Sequence, residues 1–295
     1  MDFQRITGVY KRDYNLQHLT WLKVGGNADI FFKPKDIDDL IVFLKENKSS
    51  LPVTVIGAGS NVIIRDKGVE GVVIKLGQNF TDIEFIGDNL IAVGGGCLNF
   101  FLAKFCLASS IAGFEFLVGI PGTVGGGVAM NAGSYGSEFK DIVEFVEAVD
   151  NQGNLITLSV DEIGFSYRAN SLPKDLIFTR VFFNVENKSD PGRIEQKMNE
   201  ITAMRSSSQP VIEKTGGSTF ANPDSVKAWQ LIEKAGMRGK KIGGACMSEM
   251  HCNFMINYDN ATASDMENLG ELVRQVVKAN SGIELQWEIK RIGRL

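Results

Sequence analysis

Residues 119–136, GIPGTVGGGVAMNAGSYG, hold seven glycines, three of them consecutive at 125–127. Ordering a glycine costs roughly 0.5–1 kcal/mol more than ordering an alanine. A chain that concentrates glycine in one stretch is therefore using the missing side chains, in one of two ways. Either backbone lies against a large flat or phosphorylated ligand, or a loop packs closely between elements, and the first reading is favoured here. By propensity the stretch is too glycine-rich to form a regular element.

Glycine also organises what surrounds this stretch. Its 32 copies are concentrated between 57 and 136, where they bound short β-branched runs. VTVIGAGSNVII (53–64), GVVIKL (71–76), TDIEFI (81–86) and LIAVGGG (90–96) read as strands or strand–turn units. NFFLAKFCLASS (99–110) breaks the rhythm and reads as a helix. DIVEFVEAVD, NLITLSV and LIFTRVFFNV are further strand signals, with NQG as a hairpin turn between the first two. Turn residues cluster at ENKSDPGR (186–193), the best boundary in a chain whose 295 residues suggest about two domains.

Beyond 193 the pattern becomes helical. In TASDMENLGELVRQVVKANSG the apolar positions Met266, Leu269, Leu272, Val273, Val276 and Val277 recur at helical spacing. Ser264 with Glu267 resembles a capping box, and Gly282 is placed to end the helix. GIELQWEIKRIG (282–293) alternates as a strand, with Leu285, Trp287 and Ile289 on one side and Gln286, Glu288 and Lys290 on the other. Glu288 is then either exposed or turned into a cleft.

Composition excludes several classes. A net charge of −4 argues against a general nucleic-acid binder. The first residues lack the apolar centre of a signal peptide, and no run approaches the roughly 18 apolar residues of a membrane span. Cys97, Cys106, Cys246 and Cys252 follow no CxxC spacing, so reduced, mostly buried thiols in a cytoplasmic protein are expected, with no metal site. No protein partner is evident.

IGAGSN (56–61) follows a strand, as phosphate-binding turns do. A dinucleotide fingerprint would need glycine where Val62 stands, and no GK[ST] completes a P-loop, so a plain hairpin and an anion cradle are equally open. FSYRANS places Arg168 beside Tyr167; alone, it reads as a surface arginine. KTGGSTFANP sets Ser218 after two glycines, but the G-x-S-x-G elbow is missing and His18 and His251 are both remote in sequence. A serine in that setting is a poor nucleophile. It can instead act as an acid, giving its proton to a basic carbon formed during a reaction.

IGAGSN, GIPGTVGGGVAMNAGSYG, YRANS, GGSTFANP, GGACMSEMHCNFMIN and WEIKRIG occur in this order and at suitable spacing. Together they resemble the UDP-N-acetylenolpyruvoylglucosamine reductase family, in its shorter subfamily, over about Thr20 to the C-terminus. The resemblance implies an α+β chain with an FAD-binding fold of the vanillyl-alcohol-oxidase (PCMH) type. Its two α+β subdomains, 1–76 and 77–189, would hold FAD, and a C-terminal α+β substrate domain, 190–295, would close over a UDP-sugar. Cofactor contacts would come from Gly57, Ala58, Gly59, Ser60 and Asn61, and from Gly119, Gly122, Thr123, Gly125 and Gly126. The implied reaction belongs to peptidoglycan precursor synthesis. NADPH reduces FAD and leaves; a hydride then goes to C3 of the enolpyruvyl ether and a proton to C2. By the same resemblance Arg168 and Glu288 stabilise the charge that develops, Glu288 as the protonated acid, and Ser218 is the proton donor. Tyr167 and Asn222 would contact the substrate.

The chain departs from the family pattern at Ala221, where lysine is usual, at Gly127, where alanine is usual, and between Arg168 and Ser171. Lys214 is the nearby cation that could compensate for Ala221. Two alternatives stay open: another flavin oxidase of the same fold, or a non-catalytic protein that binds a sugar nucleotide.

Overall fold

The structure, a computed structural model, describes residues 5–47, 51–224 and 226–295. These form two compact units interleaved along the chain. The first comprises Met1–Arg12, Ile30–Ala58 and Gly71–Ala203; the second comprises Asp13–Asp29, Gly59–Glu70 and Met204–Leu295. The expected α+β class is what the chain adopts.

In the first unit the strand runs of the sequence become Val143–Val149, Leu155–Ser159 and Ile177–Asn184. With Leu90–Gly94 and Ile83–Phe85 they make one antiparallel five-stranded sheet. The hairpin at NQG is present, with Gly153 at φ +79°. Alternation along these strands sends Ile91, Val93, Val146, Val181 and Phe183 into one core. That core includes Leu102, Ala103 and Cys106 of the expected helix, which spans Asn99–Ala108.

A second sheet orders Val9–Asn15, Asn27–Lys33, Val69–Ile74 and Val53–Val55. Helix Ile37–Glu46 contributes Leu40, Phe43 and Leu44 to a core shared with Phe32, Val72 and Ile74. Asp36 caps this helix by accepting the Asp39 N–H at 2.9 Å. Asp39, 4 % exposed, itself accepts N–H groups of Thr7, Gly8 and Lys35, which makes its burial tolerable.

The glycine-rich stretch departs from expectation by containing a helix, Val124–Ala129. Tertiary contact outweighs propensity here. Thr123 caps the helix by accepting the Gly126 N–H at 3.2 Å, and a Cβ on Gly127 would lie 2.2 Å from Cζ of buried Phe139. The missing side chain admits the aromatic ring, which also accounts for glycine where the family pattern has alanine.

The second unit centres on a sheet of Thr215–Ser218, Phe254–Asn257, Ala245–Met247 and Lys241–Ile242. Its buried face, with Ala245, Met247 and Met255, shares a core with Met266, Leu269, Val273 and Val277 of helix Ala263–Ser281. Of the six expected positions four lie in this core and Val276 packs against it, whereas Leu272 is only half-buried outside it; Gly282 ends the helix at φ +72°. The N-cap is not as expected. Thr262 and Asp265 form the capping box, while Ser264 bonds Asp66 and Glu267 pairs with Arg65. The C-terminal strand is also shorter than expected. Only Lys290–Ile292 is regular, parallel to Val62–Ile64.

All four cysteines are free, Cys246 alone being more than slightly accessible. Among the described residues no helix is long and apolar enough to cross a membrane, and no group of side chains could hold a metal ion.

Candidate functional site

Strand Val53–Val55 runs parallel to Val69–Ile74, and the ladder ends when Ile56 N–H donates to the Ile74 carbonyl at 2.9 Å. Gly57 and Ala58 then turn away. Among the described residues neither amide N–H meets a protein acceptor, and the same holds for Gly122 and Thr123. These two pairs are neighbours, since a Cβ on Gly57 would sit 2.6 Å from Thr123 Oγ1. Four amides without protein acceptors, on two stretches that meet at Gly57 and Thr123, suit an anion. Lys75 adds a cation by donating its ammonium to the Gly57 carbonyl. Burial first, and then the Lys33 charge, hold the Lys75 pKa below its ordinary value.

The other expected cofactor residues divide by what their backbone does. Gly125 and Gly126 have committed their N–H groups, to Gly95 O at 2.9 Å and to Thr123 Oγ1 at 3.2 Å. Any role toward a cofactor therefore does not run through those donors. At Gly119 a Cβ would lie 2.8 Å from the Tyr135 ring. At Gly59, φ is +69° and a Cβ would lie 2.0 Å from the Leu19 carbonyl oxygen, so only glycine fits. Asn61 accepts the Lys290 N–H at 3.1 Å through its carbonyl and donates Nδ2 to Glu288 O at 3.3 Å; Ser60, half-buried, lies between the two.

Arg168 is held in an uncommon conformation. Ser166 and Ala169 exchange backbone bonds of 2.9 and 3.2 Å, leaving Arg168 in the turn at φ +55°. Asn131, at φ +42° and fully buried, donates to Ser166 O at 3.0 Å. Arg168 Nη2 donates to Gly133 O at 2.8 Å, and its guanidinium lies 5.1 Å from the ring centroid of exposed Tyr167. Such backbone conformations cost about 1–3 kcal/mol each, and a structure that retains them at an arginine favours function over a surface accident.

Ser218 ends strand Thr215–Ser218. The register against Phe254–Asn257 slips between Thr215 and Ser218, and Gly217 in the slip has φ +80°. This is a bulge, which re-aims the following side chain, and Ser218 is half-buried beyond it. The next residues are clamped on both sides. On one, Asn253 accepts the Thr219 N–H through its carbonyl at 2.7 Å, accepts the Phe220 N–H at 3.0 Å and donates to Phe220 O at 2.9 Å. On the other, Glu288 N–H donates to Thr219 O at 2.9 Å and Ala221 N–H to Gln286 O at 2.9 Å. Ser218 and Glu288 are thus brought onto adjacent backbone, and Glu288 is half-buried rather than fully exposed.

Asn222 is exposed, and its Oδ1 accepts the N–H of Ala228 at the start of helix Ala228–Lys234, so part of its capacity is structural. Lys214 is exposed at the far end of the same extended segment.

A model described as the C-terminal domain of UDP-N-acetylenolpyruvoylglucosamine reductase matches residues 209–292, and one described as an FAD-binding domain matches 28–159. The reductase of that name from Rickettsia rickettsii (strain Sheila Smith) is 64% identical over 289 residues, covering 98% of this chain and 97% of the relative. The chain belongs to the UDP-N-acetylenolpyruvoylglucosamine reductase family. The Rickettsia bellii reductase is 61% identical over 295 residues, covering all of this chain and 97% of its own. The crystal structure of the reductase from Thermus caldophilus superimposes with a TM-score of 0.84 at 30% identity, covering 98% of this chain and 100% of the other.

Within this family member, two residues matter that the sequence reading gave no role. Lys75 is one; GVVIKL shows a lysine closing a strand, and nothing in the run tells that it reaches back to Gly57. Asn253 is the other, 3 % exposed. It lies inside a motif that carries the family resemblance, but only the structure reveals that it grips the strand beyond Ser218. The cradle at 57–58 and 122–123, with Lys75, fits the diphosphate of FAD by the chemistry of its donors. A cleft of about 570 Å³ in the second unit is lined by Gln209, Ile212, Cys246, Ile256 and Tyr258, but Glu213 and Glu249 also line it, which suits a diphosphate poorly.

Proposed function

We propose that this chain catalyses the NADPH-dependent, FAD-mediated reduction of UDP-N-acetyl-3-O-(1-carboxyvinyl)glucosamine to UDP-N-acetylmuramate, a step of peptidoglycan precursor synthesis. Family membership carries the reaction, and the bulge at Gly217 that sets Ser218 beside the Glu288 backbone is the observation that carries the mechanism. FAD, once reduced by NADPH, supplies a hydride equivalent to C3 of the enol ether. Negative charge then develops at C2 and the adjoining carboxylate of the substrate. Arg168 offers a planar fork of donors to that carboxylate, and Glu288 offers its carboxyl group. Preorganised donors of this kind contribute about 3–4 kcal/mol when one is removed from an oxyanion site. Ser218 gives its hydroxyl proton to C2, the C–H bond forming as the O–H bond breaks, and solvent restores the hydroxyl proton. No histidine base is needed, because the serine acts as an acid.

Gly57, Ala58, Gly122 and Thr123 hold the FAD diphosphate through their amides, with Lys75 as a nearby cation; Gly59, Ser60 and Asn61 shape the turn, and Gly119, Gly125 and Gly126 admit close packing around it. Tyr167 and Asn222 contact the UDP-sugar, Asn222 through its amide nitrogen. The flavin-binding parts 1–76 and 77–189 and the substrate part 190–295 belong to this reading, with residues 13–29 and 59–70 packing in the unit of the C-terminal segment. So does a cytoplasmic setting, in keeping with four free thiols.

Stopped-flow measurement of the two half-reactions tests the mechanism. Ser218→Ala should leave flavin reduction by NADPH within twofold of wild type and slow reoxidation by the enolpyruvyl substrate about 100-fold or more. Equal reoxidation rates in variant and wild type would remove Ser218 from the chemistry.

A further inference from the structure

Residues 282–289 alternate like a strand, yet regular pairing begins only at Lys290. Glu288 therefore lies in a segment without a full ladder, where its N–H donates to Thr219 and its carbonyl accepts from the Asn61 side chain. The side chain before it is held by several contacts. Trp287 Nε1 donates to Glu271 Oε1 at 2.8 Å, and the Arg291 guanidinium lies 4.4 Å from the indole centroid. The indole packs 5.2 Å from the Phe220 ring, and Phe220 and Trp287 are bridged through their backbones. Gly270 makes room for the ring on helix Ala263–Ser281, since a Cβ there would lie 2.1 Å from Trp287 Cη2.

Glu271 sits at the centre of this clamp. Oε1 also accepts from Arg291 at 3.1 Å, and Oε2 accepts from Arg274 Nη1 at 2.6 Å. Arg274 Nε in turn donates to Leu285 O at 2.8 Å. One carboxylate on the helix thus ties Leu285, Trp287 and Arg291, on both sides of Glu288. Burial opposes its ionisation, but the hydrogen bonds from Trp287 and Arg274 and the two guanidinium charges outweigh that and hold its pKa below the ordinary glutamate value.

We propose that Glu271 is a positioning residue which, through Trp287, fixes the Glu288 backbone beside the Ser218 strand for protonation of the substrate. This rests on the functional reading above. The clamp adds to the isolated antiparallel bridge of Phe220 with Trp287, which is all the regular pairing that residues 285–289 show. Small displacements of a reacting group cost large factors in rate, so loosening the clamp should be felt in the step that uses Glu288 and not in the step that does not.

The test uses the FAD-loaded full chain. Trp287→Phe keeps an aromatic ring and loses the indole N–H with its five-membered ring; Glu271→Leu removes the acceptor of Trp287, Arg274 and Arg291; Glu271→Gln keeps an acceptor. Trp287→Phe and Glu271→Leu should each slow reoxidation by saturating enolpyruvyl substrate about tenfold, with FAD affinity and the NADPH reduction rate within twofold of wild type. The double variant should lose less than the product of the two single losses, because the two changes share the Trp287–Glu271 contact while Glu271→Leu also strips the acceptor from Arg274 and Arg291. Glu271→Gln should recover most of the rate. Parallel loss of both half-reactions, multiplicative losses, or an unchanged reoxidation rate in Trp287→Phe would each overturn the proposal. Glu288→Gln is the control that separates the two levels. If it leaves reoxidation intact, the role of Glu288 falls and the positioning role with it. If it slows reoxidation while Trp287→Phe does not, the positioning role alone falls.

Discussion

At Gly127 a Cβ would sit 2.2 Å from the Phe139 ring, whereas at Gly217 it would meet nothing within 4 Å. The first glycine lies inside a helix, and its missing side chain is filled by an aromatic ring in a dry core. The second sits at φ +80° and is kept for its backbone, which turns the strand so that Ser218 is presented. The surroundings differ in the same sense. Beside Gly127 the ring packing is apolar, with Phe139 packed edge-on to Phe116 and near Phe183. Around 215–221 and 285–291 the backbone is held by Asn253 and by the ionised cluster at Glu271. A run of glycines therefore does not by itself signal ligand contact. The space and the dihedral angle at each position decide.

Gly127→Val should have the largest effect on stability. Its side chain overlaps a ring that has no room to move, and overpacking of a filled core costs typically 1–3 kcal/mol, with this case at about the upper limit. Urea unfolding followed by far-ultraviolet circular dichroism measures the loss. Adding Phe139→Leu should restore part of it, because the two residues contest one volume; a purely additive double variant would show that the cost lies elsewhere. Gly217→Ala should cost less, about 1–2 kcal/mol for a Cβ in the left-handed region, with no clash. Its signature is kinetic. Reoxidation by the enolpyruvyl substrate should fall by more than the stability loss explains, while NADPH reduction stays as it was. If Gly217→Ala only lowers stability and Gly127→Val only lowers reoxidation, the contrast between the two glycines is reversed.

Much of the fold was legible because strands bounded by glycine, and a helix with apolar positions from Met266 to Val277, carry their periodicity locally. What escaped depended on distant partners. The helix Val124–Ala129 is stabilised by Thr123 and by a ring from residue 139, which no window around GTVGGG contains. The capping box moved from Ser264 to Thr262 because Asp66 claims Ser264 and Arg65 claims Glu267, 198 and 202 positions away. The strand expected over 282–293 shortened to Lys290–Ile292 because only Val62–Ile64 offers a regular edge. The candidate site was named from residue types in motif order. Its supports were not. Asn253 and Glu271 look like ordinary polar residues until the strand they hold is known, and the Lys75 ammonium reaches the turn at Gly57 from the end of a neighbouring strand.

The smallest effect expected is one of pH, and it separates the two surroundings without touching the reaction. The folded-state pKa of Glu271 lies below the ordinary 4.5, so its contribution to stability is complete above that value and is lost as pH falls through the lower one. Asp265 and Glu284 in the same unit shift in the same direction, Asp265 through the Thr262 N–H and Glu284 through Lys278. The groups facing Glu271 are Arg274, which also pairs with Glu284, and Arg291, which lies 3.9 Å from Glu267, the partner of Arg65. Trp21, Trp229 and Trp287 all belong to the second unit, so tryptophan fluorescence reports that unit alone. The urea midpoint read this way should fall as pH is lowered from 5 toward 3, and Glu271→Gln should make that fall shallower while lowering the midpoint at pH 7. An acid slope identical in Glu271→Gln and wild type would mean that the arginines hold the segment with little help from the charge on Glu271, and the clamp would then rest on the indole and its packing.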